Sequence, residues 1–112
     1  MNFQIEKTDN YTVIKLQAEK LDSTLAPSLK SELVVLNTDG VKNIIIDLSS
    51  ARYCDSSGLS AILVANRLCK NSQGTFVITG LQDTVKKLVA ISQLDTILNI
   101  TGTLEEATQL VK

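Results

Sequence analysis

The chain opens on an alternation. Across residues 2–7, Phe3 and Ile5 fall on one face and Gln4 and Glu6 on the other, the period of a half-buried strand. Asp9-Asn10 is a turn signal, and Tyr11-Thr12-Val13-Ile14-Lys15-Leu16 reads as the returning strand of a hairpin. A polar stretch from Gln17 to Asp22 reads as a loop. The period then changes. Leu25, Leu29, Leu33 and Leu36 recur at helical spacing, with Ser23 or Thr24 as the expected cap and Pro27 tolerated in the first turn. Asp39-Gly40 stops this helix, glycine being suited to the left-handed residue beyond a helix end.

Asn43-Ile44-Ile45-Ile46-Asp47-Leu48 is a nearly continuous β-branched run, the pattern of a central parallel strand buried on both faces. Leu59, Ile62, Leu63, Asn66 and Cys69 predict a second helix that ends near Asn71 to Gly74. Thr75 to Thr79 predicts another strand, and Val85, Leu88, Val89 and Ser92 a third helix capped near Gln82 or Asp83. Ile97 to Ile100 fits a short edge strand, and Thr103-x-x-Glu106 is a capping box that opens a last helix, Leu104 to Val111. The order β-β-α-β-α-β-α-(β)-α predicts an α/β fold, a mixed sheet with helices packed on it. With no repeat or linker, residues 1–112 are read as one domain. Such a domain has a folded surface of about 6,100 Å².

Composition removes whole classes of function. Hydrophobic residues at 44% and charged residues at 21% exclude overall disorder. The absence of histidine removes Ser-His-Asp and Cys-His catalysis and the usual zinc and haem ligand sets. Four aromatics (Phe3, Tyr11, Tyr53, Phe76) make no stacking platform for nucleic acid. A net charge of −1 without long charge blocks argues against polyanion binding. No basic-then-apolar leader opens the chain, and no apolar run approaches the roughly 18 residues of a membrane span. Cys54 and Cys69 lack CxxC spacing and read as free thiols, Cys69 in the core and Cys54 packed beneath a loop. These features describe a cytoplasmic protein without metal, cofactor, membrane or nucleic-acid partner.

One segment asks for more. Between the central strand and the second helix runs Tyr53-Cys54-Asp55-Ser56-Ser57-Gly58-Leu59, an expensive helix opening unless its polar groups are used. Asp55 or Ser56 can accept from the free N–H groups of the first turn, and Gly58 allows close approach of another chain. A helix N-terminus also stabilises negative charge, so a phosphate on Ser56 or Ser57 would be well placed.

Set after Asn43 to Leu48, this segment resembles the signature of STAS domains, and most nearly the stand-alone bacterial anti-sigma factor antagonists. The likeness extends to the opening hairpin, Leu21-Asp22, and Val85-Lys86-Lys87-Leu88 with Leu94. It implies a mixed four- to five-stranded sheet with about four helices mainly on one side. It also implies partner switching: the unphosphorylated chain binds an anti-sigma factor that is often a serine kinase, and so frees the sigma factor. The kinase then phosphorylates the residue after the Asp, here Ser56, and a PP2C-type phosphatase reverses it. The implied partner surface is Asp22, Ser23, Asp55, Ser56, Ser57, Gly58 and Leu59, on a monomer or weak dimer. Glu19 and Gln93 stand where such families commonly carry Gly, and Cys54 where they carry an aliphatic residue; these departures bear on loop shape and partner fit.

Enzymatic readings fare worse. Six residues after Cys54 stands Ser60, so the Cys-x5-Arg loop of tyrosine phosphatases is broken. Asp47 sits at a strand end as in a receiver domain, but Thr8-Asp9 and Thr79-Gly80 supply neither the acidic pair nor the lysine. No Walker motif is present. Asp47 is read as a polar residue that closes its strand, and the chain as a non-enzyme. The alternative within the resemblance is a subunit of a lipid-transport or stress-sensing complex.

Overall fold

The opening alternation becomes strand β1 (Phe3–Lys7), antiparallel to β2 (Thr12–Leu16). The turn between them is closed by Thr8, whose hydroxyl donates to the Tyr11 carbonyl at 2.9 Å. This computed structural model describes residues 2–111. β4 (Ile44–Asp47) runs between β2 and β6 (Phe76–Thr79), parallel to both, in a register that sets Ile14, Ile46 and Ile78 side by side. Every residue of β4 is buried, as its β-branched run predicts. β7 (Asn99–Thr101) joins β6 in parallel and completes the order β1-β2-β4-β6-β7.

Three helices cover one face: α1 (Ala26–Thr38), α2 (Ser56–Asn71) and α3 (Asp83–Ile91). Their Leu29, Leu33, Leu36, Ile62, Cys69 and Val89 share a core with Phe3, Ile14, Ile46, Phe76 and Ile78. The fourth, α4 (Leu104–Leu110), lies on the opposite face, where Ala107 and the following Val111 pack with Val13, Ile45 and Val77. Its capping box forms: the Thr103 hydroxyl accepts from Glu106 N–H and the Glu106 carboxylate from Thr103 N–H, both at 3.2 Å. The folded surface measures 6130 Å², in line with the expectation from length.

Two short strands lie where loops were predicted. β3 (Lys20–Leu21) and β5 (Tyr53–Cys54) form a separate parallel pair, Lys20 against Tyr53 and Leu21 against Cys54. At the far edge, β7 begins two residues later than Ile97 because Leu94–Thr96 first makes a 3-10 turn, entered through Gln93 at φ 60°. That left-handed conformation is one that glycine adopts without strain, and Gln93 adopts it here with a side chain.

The cap of α1 also differs from expectation. Neither Ser23 nor Thr24 caps it; the N-cap is Leu25, which makes no side-chain cap bond. Asp22 takes over. Its carboxylate accepts from the Thr24 N–H at 3.1 Å and hydroxyl at 2.6 Å, and its carbonyl accepts from Leu25 and Ala26 N–H. The free donors of the helix start are thus met by a preceding turn. Because β2, β4, β6 and β7 run parallel, all four helices begin at one end of the sheet, after the strands' carboxyl ends.

Candidate functional site

The site is built by the β3–β5 pair. Glu19 carbonyl accepts from the N–H groups of both Arg52 and Tyr53, and Leu21 carbonyl from Asp55 N–H at 3.3 Å. Carried one residue beyond Leu21 and Cys54, the parallel register sets Asp22 alongside Asp55. Two segments more than thirty residues apart in sequence are joined here by main-chain bonds.

Asp55 caps α2. Its backbone is extended and its carboxylate accepts from Gly58 N–H at 3.0 Å; of the two capping candidates, Asp55 does the work and Ser56 is the first helical residue. Ser56 is exposed and Ser57 half-buried. The expected site residues Asp22, Ser23, Asp55, Ser56 and Ser57 therefore lie on the two segments that this ladder brings together.

Gly58 and Leu59, the other two expected contact residues, are both buried. The chain that approaches Gly58 is the protein's own. A Cβ there would lie 2.3 Å from the Leu21 carbonyl oxygen, 2.7 Å from Cys54 Sγ and 2.9 Å from Leu21 Cγ. Glycine at this position lets α2 seat against β3, and Leu59 joins the core beneath it. Cys54 is likewise interior, and burial, with the Asp55 charge adding to it, pushes its thiol up to about 11. Burial does the same to Cys69, also to about 11. Both are neutral and poorly nucleophilic near pH 7.

Sequence reasoning passed over Tyr53. It is the outward residue of β5, 51% exposed, beside the exposed Lys20 and three residues before Ser56. An exposed-then-buried step at Tyr53-Cys54, matched by Lys20-Leu21, is the only signal, and two residues are too few to show a period. Asp47 closes its strand as expected: its carboxylate accepts from Ser49 N–H at 2.9 Å.

Asp22 carries a testable electrostatic signature. The Thr24 hydroxyl bond, then the Thr24 backbone bond, hold its carboxyl below the usual value of 3.8. A carboxyl whose folded pKa is depressed contributes stability above its unfolded pKa and loses it as pH falls through the folded one. Melting temperatures of wild type and Asp22→Asn are expected to differ at pH 6 and to converge on acidification below 3.8. A difference that stays constant from pH 6 to strong acid would contradict the Thr24 bonds.

Among the described residues, no group of three or more His, Cys, Asp or Glu side chains is placed to hold a metal ion, and no helix is long and apolar enough to cross a membrane. The sequence matches the STAS domain family over residues 2–107. The anti-sigma-B factor antagonist of Staphylococcus aureus is 28% identical over 102 residues, spanning 89% of this chain and 94% of that protein. The phosphorylated form of the Bacillus cell fate determinant SpoIIAA is similar with a TM-score of 0.77 at 26% identity, covering 98% of this chain and 99% of that one. A proposed anti-sigma factor antagonist of Thermotoga maritima reaches a TM-score of 0.87 at 25% identity, over 97% and 93% of the two chains.

Proposed function

Because this chain belongs to the STAS domain family, we propose that it is an anti-sigma factor antagonist governed by phosphorylation of Ser56. The unphosphorylated form binds an anti-sigma factor that is itself a serine kinase, and the sigma factor is released. The kinase transfers phosphate to the Ser56 hydroxyl, the complex dissociates, and a PP2C-type phosphatase restores the serine. The chain performs no catalysis of its own; it is a cytoplasmic binding surface acted on by other enzymes.

The observation that carries this reading is the exposed Ser56 at the first position of a 16-residue helix whose cap is already filled by Asp55. A phosphate at that position meets the positive end of the helix dipole, a contribution of about 0.3–1 kcal/mol in its favour. The fold therefore tolerates the modification. The surface does not stay the same: about 1.5 to 2 negative charges arrive beside Asp55 and the Asp22 turn. A partner shaped to a neutral hydroxyl meets bulk, desolvation cost and like charge at once, so affinity is lost at the interface rather than through unfolding. Asp22, Ser23, Asp55, Ser56 and Ser57 form the contact surface, with Gly58 and Leu59 seating it from beneath. The names of the Staphylococcus aureus relative and of the phosphorylated Bacillus structure support the same reading.

Mass spectrometry of the protein isolated from its native cell is expected to find phosphate on Ser56 in part of the population. Phosphate confined to other residues would overturn the assignment.

A further inference from the structure

The loop that leads from the central strand to the Ser56 surface is held from outside the site. Between Asp47 and Tyr53 the chain turns through Leu48–Arg52, with Ala51 fully buried and Ser49, Ser50 and Arg52 exposed. Two of its carbonyls point to the start of α3. Gln82 Nε2 donates to the Ser49 carbonyl at 2.7 Å, and the Thr84 hydroxyl donates to the Arg52 carbonyl. The Gln82 side chain is thus spent on the loop, although it occupies the N-cap position of its own helix and makes no cap bond there. The turn into α3 crosses the same loop closely: at Gly80, φ 75°, a Cβ would lie 3.0 Å from Asp47 Oδ1 and 3.1 Å from Ser49 Cβ.

Arg52 is pinned on both sides, its N–H by the Glu19 carbonyl and its own carbonyl by Thr84. Three residues later Asp55 caps α2. We infer that Gln82 and Thr84 are positioning residues for the Ser56 surface: their two donors fix the Ser49–Arg52 loop, and with it the aim of β5 and of the first turn of α2. Among the described residues, neither side chain hydrogen-bonds to Ser56 or to the Asp22 turn. The functional meaning of the tether rests on the Ser56 reading, whereas the tether itself does not.

Cys54 offers a local probe, since its sulfur lies against Gly58 under the first turn of α2, and Cys69 near the other end of the same helix serves as an internal control. Native-state labelling with iodoacetamide, read by mass spectrometry, gives the ratio of the two rates. In Thr84→Val the Cys54 rate is expected to rise about threefold with Cys69 unchanged, in keeping with loss of one hydrogen bond and a local opening. Gln82→Met is expected to act similarly, the double variant to reach about tenfold, and Thr84→Ser to return to the wild-type ratio. Labelling of both cysteines in parallel, an unchanged ratio in Gln82→Met and the double variant, or failure of Thr84→Ser to restore it overturns the inference. Since no binding partner enters the measurement, a failure here is distinct from absence of phosphate on Ser56.

Discussion

Ser56→Asp is expected to bind the anti-sigma partner about 100-fold or more weakly than Ser56→Ala, because like charge placed in an interface costs several kcal/mol and each 1.4 kcal/mol is tenfold. The alanine variant keeps a small neutral group at the first position of α2 and cannot be phosphorylated, so it binds constitutively. The aspartate places one fixed charge where a phosphoserine would place about 1.5 to 2, which makes it a conservative mimic. Stability separates this from a trivial outcome. An acidic residue in the first turn suits the helix dipole, so the two melting temperatures are expected to agree within about 3 °C. Equal dissociation constants for the two folded variants, measured by calorimetry, would sink the proposed switch.

Gly58→Ala is expected to lower the melting temperature by about 5–15 °C, through about 1–3 kcal/mol of overpacking. Helix propensity alone predicts the opposite sign, since alanine is favoured over glycine by about 1 kcal/mol in a helix interior. Contact geometry decides between them. The added methyl would sit 2.3 Å from the Leu21 carbonyl oxygen, which is backbone, shared with Asp55 N–H and unable to swing aside. Relief requires α2 and β3 to part, and that movement carries the Asp22 turn away from Asp55. Partner affinity is therefore expected to fall even at temperatures where the variant remains folded. An unchanged or raised melting temperature would show that the close approach at Gly58 is not binding on the fold.

The contrast between those two substitutions marks what a sequence can and cannot display. The hydrophobic patterns of β1, β2, β4 and β6 and the leucine stripe of α1 are long enough to read directly, and Asp55 was one of two readable caps for α2. The Ser56 segment stood out as a costly polar helix opening, and its reading as a switch came from the family resemblance. The β3–β5 pair was not legible, because a two-residue strand has no period and its partner is more than thirty residues distant. For the same reason Asp22 emerges as the organiser of the α1 start only when its turn is seen, whereas local statistics favour Ser23 or Thr24. Gly58 shows the limit from another side: the glycine signalled a close approach and suggested another chain, whereas the segment that comes close is the protein's own Leu21. Tyr53 was hidden because its exposure depends on which face β5 turns outward.

The common origin of the four helices at one end of the sheet has a consequence for the molecule as a charged object. Each helix start contributes about half a positive charge, partial and local, and here α1, α2, α3 and α4 all present that end on the same side. The same starts carry the carboxylates of Asp22, Asp55, Asp83, Glu105 and Glu106, which those partial charges favour. A dianion on Ser56 takes the total from −1 to about −3 and adds its charge at the end where the helices begin. Modification therefore changes both the monopole and the molecular dipole. At physiological salt that field reaches about 8 Å from the surface, so an approaching protein is oriented differently by the two forms before any atom of the interface is in contact.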